Sequence, residues 1–141
     1  MIVIDGKGKI VGRVAAYAAK RLLVGEEVVI LNADEMVFSG DKTVVFNRYK
    51  ARRDIKPKQN PRHKPIWPRR PDLLVRRIVR GMLPWRTQRG RNAFKKLRVY
   101  RDVPKEFENV EKVVLDGKYD GSHLNKSVTV LTLCRMLGFT G

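Results

Sequence analysis

The chain has 141 residues, 31 of them Lys or Arg against 14 Asp or Glu, giving a formal charge of +17 at pH 7. This length points to one domain with a core of its own, and an apolar fraction of 43% excludes wholesale disorder. So large a positive excess on so short a chain implies a polyanionic partner, most often nucleic acid. No apolar run reaches the roughly 20 residues that cross a bilayer, and the single cysteine, Cys134, has no partner for an internal disulfide.

Ile2 to Ile4 is predicted as a short apolar strand, so the chain opens on structure and not on a signal peptide, and an intracellular protein with no membrane partner is expected. Val11 to Leu23 has the helical period, with Val11, Val14, Ala15, Ala18 and Leu22 on one face and Arg13 and Lys20 pointing away. Gly25 follows where a left-handed cap favours glycine. Val28 to Leu31 reads as a buried strand and Met36 to Phe38 as a second one. Ser39 or Asp41 then caps a helix that runs to about Arg53. This alternation implies parallel strands joined by crossovers.

Strand, glycine-rich turn and helix in "IVIDGKGKIVGRVA" also suggest a nucleotide cradle. Gly6, Gly8 and Gly12 are spaced one residue too widely for the dinucleotide fingerprint, and Lys7 and Lys9 crowd the turn. Asp34, near the end of the second strand, is a near match for a ribose ligand. The acids Asp5, Asp34 and Asp41 are more readily explained as caps or ion pairs with Arg13.

Charge is concentrated in the middle of the chain. Met1 to Asn47 is neutral and Asp102 to Gly141 carries one net negative charge, while Arg48 to Arg101 holds 20 basic residues against Asp54 and Asp72. An ordinary solvated face would intersperse acids. Within this block "IKPKQNPRHKPIWPRRP", about residues 55–71, has five prolines and is predicted as an extended basic arm. A stiff arm loses little entropy when laid along a phosphate backbone.

"PDLLVRRIVRGMLP" is predicted as a helix with Pro71 in its first turn and Pro84 beyond its end. Leu74, Val75, Ile78, Val79 and Met82 share one arc and Arg76, Arg77 and Arg80 the opposite one, with Leu73 the misfit. Thr87 caps a second short helix with Ala93, Phe94 and Leu97 inward and Arg91, Lys95 and Lys96 outward, before the strand "LRVY" and its terminator Pro104. Trp85 has two readings, a stacking platform or packing; packing is the expectation for Tyr100. Lys105 to Asn125 is the least legible part, closing over the core or touching a neighbouring protein. Near the end, Thr129 caps an apolar run in which Cys134 is expected to be buried. His63 and His123 lie far apart with no partner cysteines, so no metal site is expected.

"RRIVRGMLPWRTQRGRNAFKKLRVYRDVP", Arg76 to Pro104, closely resembles the signature of the thirteenth large-subunit ribosomal protein family. "IVIDGKGKIVGRVA", with Asp5, Gly12 and Arg13, is similar to that family's opening, "VVILNADEMVFSGDK" to its second-strand element and "VTVLTLCRMLGF" to the end of its archaeal members. The start at the first strand, the proline-rich arm and the lack of a long basic tail also resemble the archaeal type. The resemblance implies a three-layer α/β/α fold with a small, mostly parallel four-stranded sheet. It also implies a cytoplasmic, ribosomal location on large-subunit rRNA beside other large-subunit ribosomal proteins, with no catalysis, cofactor or small-molecule substrate.

On this reading the cations of the arm and the following helices neutralise RNA phosphates. They are Lys56, Lys58, Arg62, His63, Lys64, Arg69, Arg70, Arg76, Arg77, Arg80, Arg86, Arg89, Arg91, Lys95, Lys96 and Arg98, with Arg13 from the opening element and Trp67 and Trp85 as aromatic candidates. A free-standing RNA-binding regulator is the alternative, since the same basic face would serve it, and a nucleotide-binding enzyme is the remote one.

Overall fold

The computed structural model describes residues Met1–Gly141. Its first unit is β1 (Ile2–Asp5), α1 (Val11–Val24) and β2 (Val28–Leu31), the two strands pairing in parallel from Ile2 opposite Val28 to Asp5 opposite Leu31. Gly25 ends α1 in the left-handed region at φ 104°, and its N–H donates to Leu22 O at 3.1 Å while that of Glu26 donates to Arg21 O at 3.2 Å. Any side chain at that φ would be strained, which is why glycine terminates the helix.

A 3-10 turn, Ala33–Glu35, leads from β2 into β3 (Val37–Ser39). Here the expectation of a further parallel strand fails: β3 pairs antiparallel with β5 (Ser127–Thr129), and the two form a separate ribbon. The cause is length, because a parallel crossover needs about a dozen residues and only the turn lies between. α2 (Lys42–Asp54) follows, capped by Asp41 and not by Ser39, the Asp41 side chain accepting from Thr43 N–H at 2.9 Å.

After the arm come α3 (Pro71–Gly81), α4 (Gln88–Lys95) and β4 (Leu97–Val99). β4 pairs in parallel with β2, giving a three-stranded sheet in the order β1-β2-β4, and a single parallel bridge from Val113 to Ile4 extends the β1 edge. The last helix is α5 (Val130–Met136), capped by the Thr129 hydroxyl as anticipated. The fold is therefore mixed α/β with a small, mostly parallel sheet.

Alternation along the strands sends side chains to two faces. Ile4, Val28, Ile30 and Leu97 face a core shared with α1, α3, α4 and α5, in which Val14, Leu22, Leu74 and Leu133 are fully buried. Val3, Val29 and Leu31 face the other way and are covered by Phe107, Val103 and Val110. No α-helical residue joins that second cluster. The layer expected to be helical on this side is thus irregular chain with one 3-10 turn, Lys105–Phe107, and so the poorly legible segment closes over the core.

Candidate nucleic-acid interface

In the glycine-rich turn after β1 the backbone N–H groups of residues 6–10 are all taken within the chain. The N–H groups of Gly6, Gly8 and Ile10 donate to the carbonyls of Leu31 (2.9 Å), Glu35 (3.1 Å) and Tyr119 (2.7 Å). Those of Lys7 and Lys9 go to Asp5 Oδ1 (3.0 Å) and Gly6 O (3.0 Å). A phosphate cradle needs such groups aimed outward. Asp34, the near match for a ribose ligand, is occupied as well: Arg101 grips it with Nε 3.2 Å from each carboxylate oxygen and Nη2 2.9 Å from Oδ2.

The expected pairing of these acids with Arg13 is also corrected. Asp5 accepts from Asn32 Nδ2 at 2.8 Å and lies 3.7 Å from Lys112, and Asp41 combines its capping role with Lys126 at 3.4 Å. Arg13 is exposed on the first turn of α1, where its guanidinium donates to the Lys118 carbonyl oxygen, outside the central basic block.

The arm runs across the outside of α2 and α3. Lys56, Lys58, Arg62, His63, Lys64 and Arg69 are all exposed, and a 3-10 turn, Pro61–His63, capped by the Asn60 side chain, is its only regular element. Trp67 anchors its end. The indole lies edge-on to Tyr49 at 5.8 Å between centroids, with Arg52 4.7 Å and Arg77 5.0 Å from its ring centre. Arg53 Nη1 donates to the Trp67 carbonyl at 2.6 Å. Trp67 therefore works as a packed clamp joining arm, α2 and α3. Burial, reinforced by the charge of Arg69, lowers the pKa of Arg53, so the two cations lie close enough to repel.

α3 buries Leu74, Val75 and Val79 as the periodicity predicts, while Met82 is exposed. Arg76, Arg77 and Arg80 lie on the other side, each guanidinium over a ring: Arg76 4.7 Å from the centre of Phe94, Arg77 over Trp67, and Arg80 4.0 Å from the centre of Trp85. None has an acidic partner or a hydrogen-bond acceptor in the chain, and the Nε atom of each is buried without one. Burial, together with the neighbouring charge of Arg80, lowers the pKa of Arg77. Trp85 is packed edge-on to Phe94 at 5.2 Å, so the packing reading describes it in the free chain. Tyr100 packs on Phe107, as expected.

Other cations are partly committed to the protein. Arg70 forms a two-pronged pair with Asp72, at 3.2 and 2.9 Å. Arg89 and Lys96 reach back to the end of α1, donating to Leu23 O at 3.3 Å and Gly25 O at 2.7 Å. Arg91 clasps the carbonyls of Trp85 (3.3 Å) and Arg86 (3.4 Å). These bonds use one edge of exposed side chains and hold α4 against its neighbours. Arg86, Lys95 and Arg98 are exposed.

Gly90 sets the close approach in this arrangement. A Cβ there would meet the Pro84 carbonyl oxygen at 2.1 Å, so only glycine lets α4 close on the turn that carries Trp85. The sequence reading missed Arg52 and Arg53, although both fall in the basic block and the last turn of α2. Their signal was the proximity of the arm, which needs the fold to be seen.

No group of three His, Cys, Asp or Glu side chains comes together to hold a metal, and no helix is long and apolar enough to cross a membrane. Cys134 is buried, and burial pushes its thiol up to about 12.

The family model for ribosomal protein L13 matches residues 1–106. The large ribosomal subunit protein uL13 of Archaeoglobus fulgidus is 44% identical over 99% of this chain and 88% of its own. Those of Methanosphaera stadtmanae and Methanocaldococcus jannaschii are 42% and 43% identical, over 96% and 98% of both chains. These relatives are archaeal, and they are named as ribosomal proteins and not as enzymes. With a match over three quarters of its length and relatives aligned nearly end to end, this chain belongs to the ribosomal protein L13 family.

Proposed function

We propose that this chain is a structural constituent of the large ribosomal subunit, located with the ribosome in the cytoplasm, that binds and stabilises large-subunit rRNA. Family membership supports the assembly. The arginine face of α3 carries the RNA-binding part of the reading: three guanidiniums fixed on rings, without acidic partners, beside the exposed cations of the arm.

Guanidiniums present flat forks that suit phosphate oxygens. Fixing each plane on a ring removes motion that binding would otherwise have to suppress. The repulsion stored among these cations is relieved when phosphates arrive. Recognition is then of backbone and shape, since the deep groove of an A-form helix gives side chains little access to base edges. Where several rRNA helices converge, the folded body with its basic arm lowers phosphate repulsion and holds the junction, beside neighbouring large-subunit proteins.

Salt titration of binding to large-subunit rRNA tests this. With roughly six or more phosphate contacts, affinity is expected to fall about a thousandfold between about 50 and 200 mM salt. A flat salt dependence, or crosslinks to rRNA that avoid Lys56 to Arg101, overturns it. Loss of the protein from large subunits on a moderate-salt wash favours the free-standing regulator instead.

A further inference from the structure

Between the end of the arm and the α3–α4 pair lies a cleft of about 480 Å³. Its walls combine two chemistries. Ile66, Leu73, Trp85 and Phe94 supply apolar surface, and Arg76, Arg77 and Arg80 lie among them, with Arg76 over the Phe94 ring and Arg80 over that of Trp85. Ile66 is 81% exposed and Leu73 38% exposed, so apolar surface faces solvent in the most basic part of the molecule. Contact with a phosphate backbone alone gives those two side chains no role.

We propose that this cleft receives one unstacked nucleotide of the bound RNA, with its base against the exposed apolar side chains and its phosphate at the guanidiniums. The inference rests on the RNA-binding reading above and adds the kind of nucleotide held. Charge selects an anion: no acidic residue lines the cleft, and the nearby Asp72 is taken by Arg70. Size suits a compact group, because small ligands occupy cavities of roughly 300 to 1,000 Å³. Planarity selects a base, because the cleft already sets guanidiniums over aromatic rings, Arg76 over Phe94 and Arg80 over Trp85, and a base is a flat partner for such a group. The exposed cations that adjoin the lining residues along the chain, Lys64 before Ile66 and Arg86 after Trp85, favour an RNA strand over an acidic peptide, since a backbone entering or leaving the cleft would meet them.

The test uses the full chain with two probes of equal charge, an adenylate hexamer and an abasic ribose-phosphate hexamer. Affinity and tryptophan emission are followed through a salt titration. The adenylate strand should bind roughly tenfold tighter and quench emission, with both strands showing the same salt slope. The double variant Ile66→Ser/Leu73→Ser alters exposed side chains and no charge; it should remove the tenfold preference and keep the slope. Its fold is checked by its unchanged thermal transition. Equal binding of the two strands, a preference that survives the double variant, or hexaglutamate binding as tightly as the adenylate strand overturns the proposal. Salt-independent binding of both strands would instead overturn the electrostatic reading beneath it.

Discussion

The guanidinium of Arg80 sits 4.0 Å from the centre of the Trp85 ring, the closest of the arginine–aromatic contacts on α3. Trp85 is itself held edge-on against Phe94, which carries Arg76. Two arginines one helical turn apart are thus fixed by a pair of rings that touch.

Such a contact is worth about 1 kcal/mol when partly desolvated. Replacing Trp85 by Leu keeps an apolar plug but frees Arg80. Affinity for large-subunit rRNA is therefore expected to fall about fivefold with the salt slope unchanged, because orientation is lost and no phosphate contact is. A filter-binding titration at several salt concentrations reads both quantities.

The Asp34–Arg101 pair ties the turn after β2 to the end of β4, and Arg101 also lies 5.0 Å from the centre of the Phe139 ring. Hydrogen bonding to Asp34 raises the pKa of Arg101, so its guanidinium stays charged. Arg101→Ala leaves a buried carboxylate without its partner at a cost of about 2 kcal/mol, reduced from a fully buried pair because Arg101 is partly exposed. Urea denaturation should show a lower midpoint with an unchanged slope, and Asp34→Asn in the Arg101→Ala background should recover part of the loss.

Asp5 predicts the acid limit of the fold. Burial alone would raise its pKa, but the hydrogen bonds from Asn32 and the Lys7 N–H and the charge of Lys112 outweigh burial, leaving it below the ordinary 3.8. A depressed pKa in the folded state contributes stability above the unfolded value that is lost as pH falls through the folded one. Stability should therefore drop below about pH 4, and Asp5→Asn should flatten this part of the profile in a pH series of thermal melts.

Cys134 predicts chemical silence. With its thiol pushed up to about 12 by burial, aided by the charges of Asp34 and Asp72, almost no thiolate exists at pH 8. Labelling by an aromatic disulfide reagent should be slow in the folded chain and should reach the rate of a free thiol only in denaturant.

Local chemistry was the legible part of this molecule. Gly25, Asp41, Thr87 and Thr129 act at helix ends where sequence spacing places them, and the α3 arcs follow from period alone. Leu73, the misfit of that helix, lines the arginine cleft, so the break in the pattern coincides with an exposed apolar surface. What spacing cannot supply is partnership across the chain. β3 finds β5 about ninety residues later, Phe107 covers the far face of the sheet, and each α3 arginine finds its ring in a different segment. These depend on tertiary packing, which overrides local pattern.

The β2–β4 pairing has a consequence for the order of events on synthesis. Val28 joins Leu97, so the arm and α2 to α4, nearly the whole basic block, lie in the loop between adjacent strands. Until β4 emerges, the nascent chain is a cationic polymer whose sheet lacks its third strand. Contacts so distant in sequence form slowly, because the loop must close before they stabilise anything. The basic residues are therefore synthesised before the body that carries them is complete. A chain halted before Leu97 would carry nearly all of the charge on a sheet of two strands.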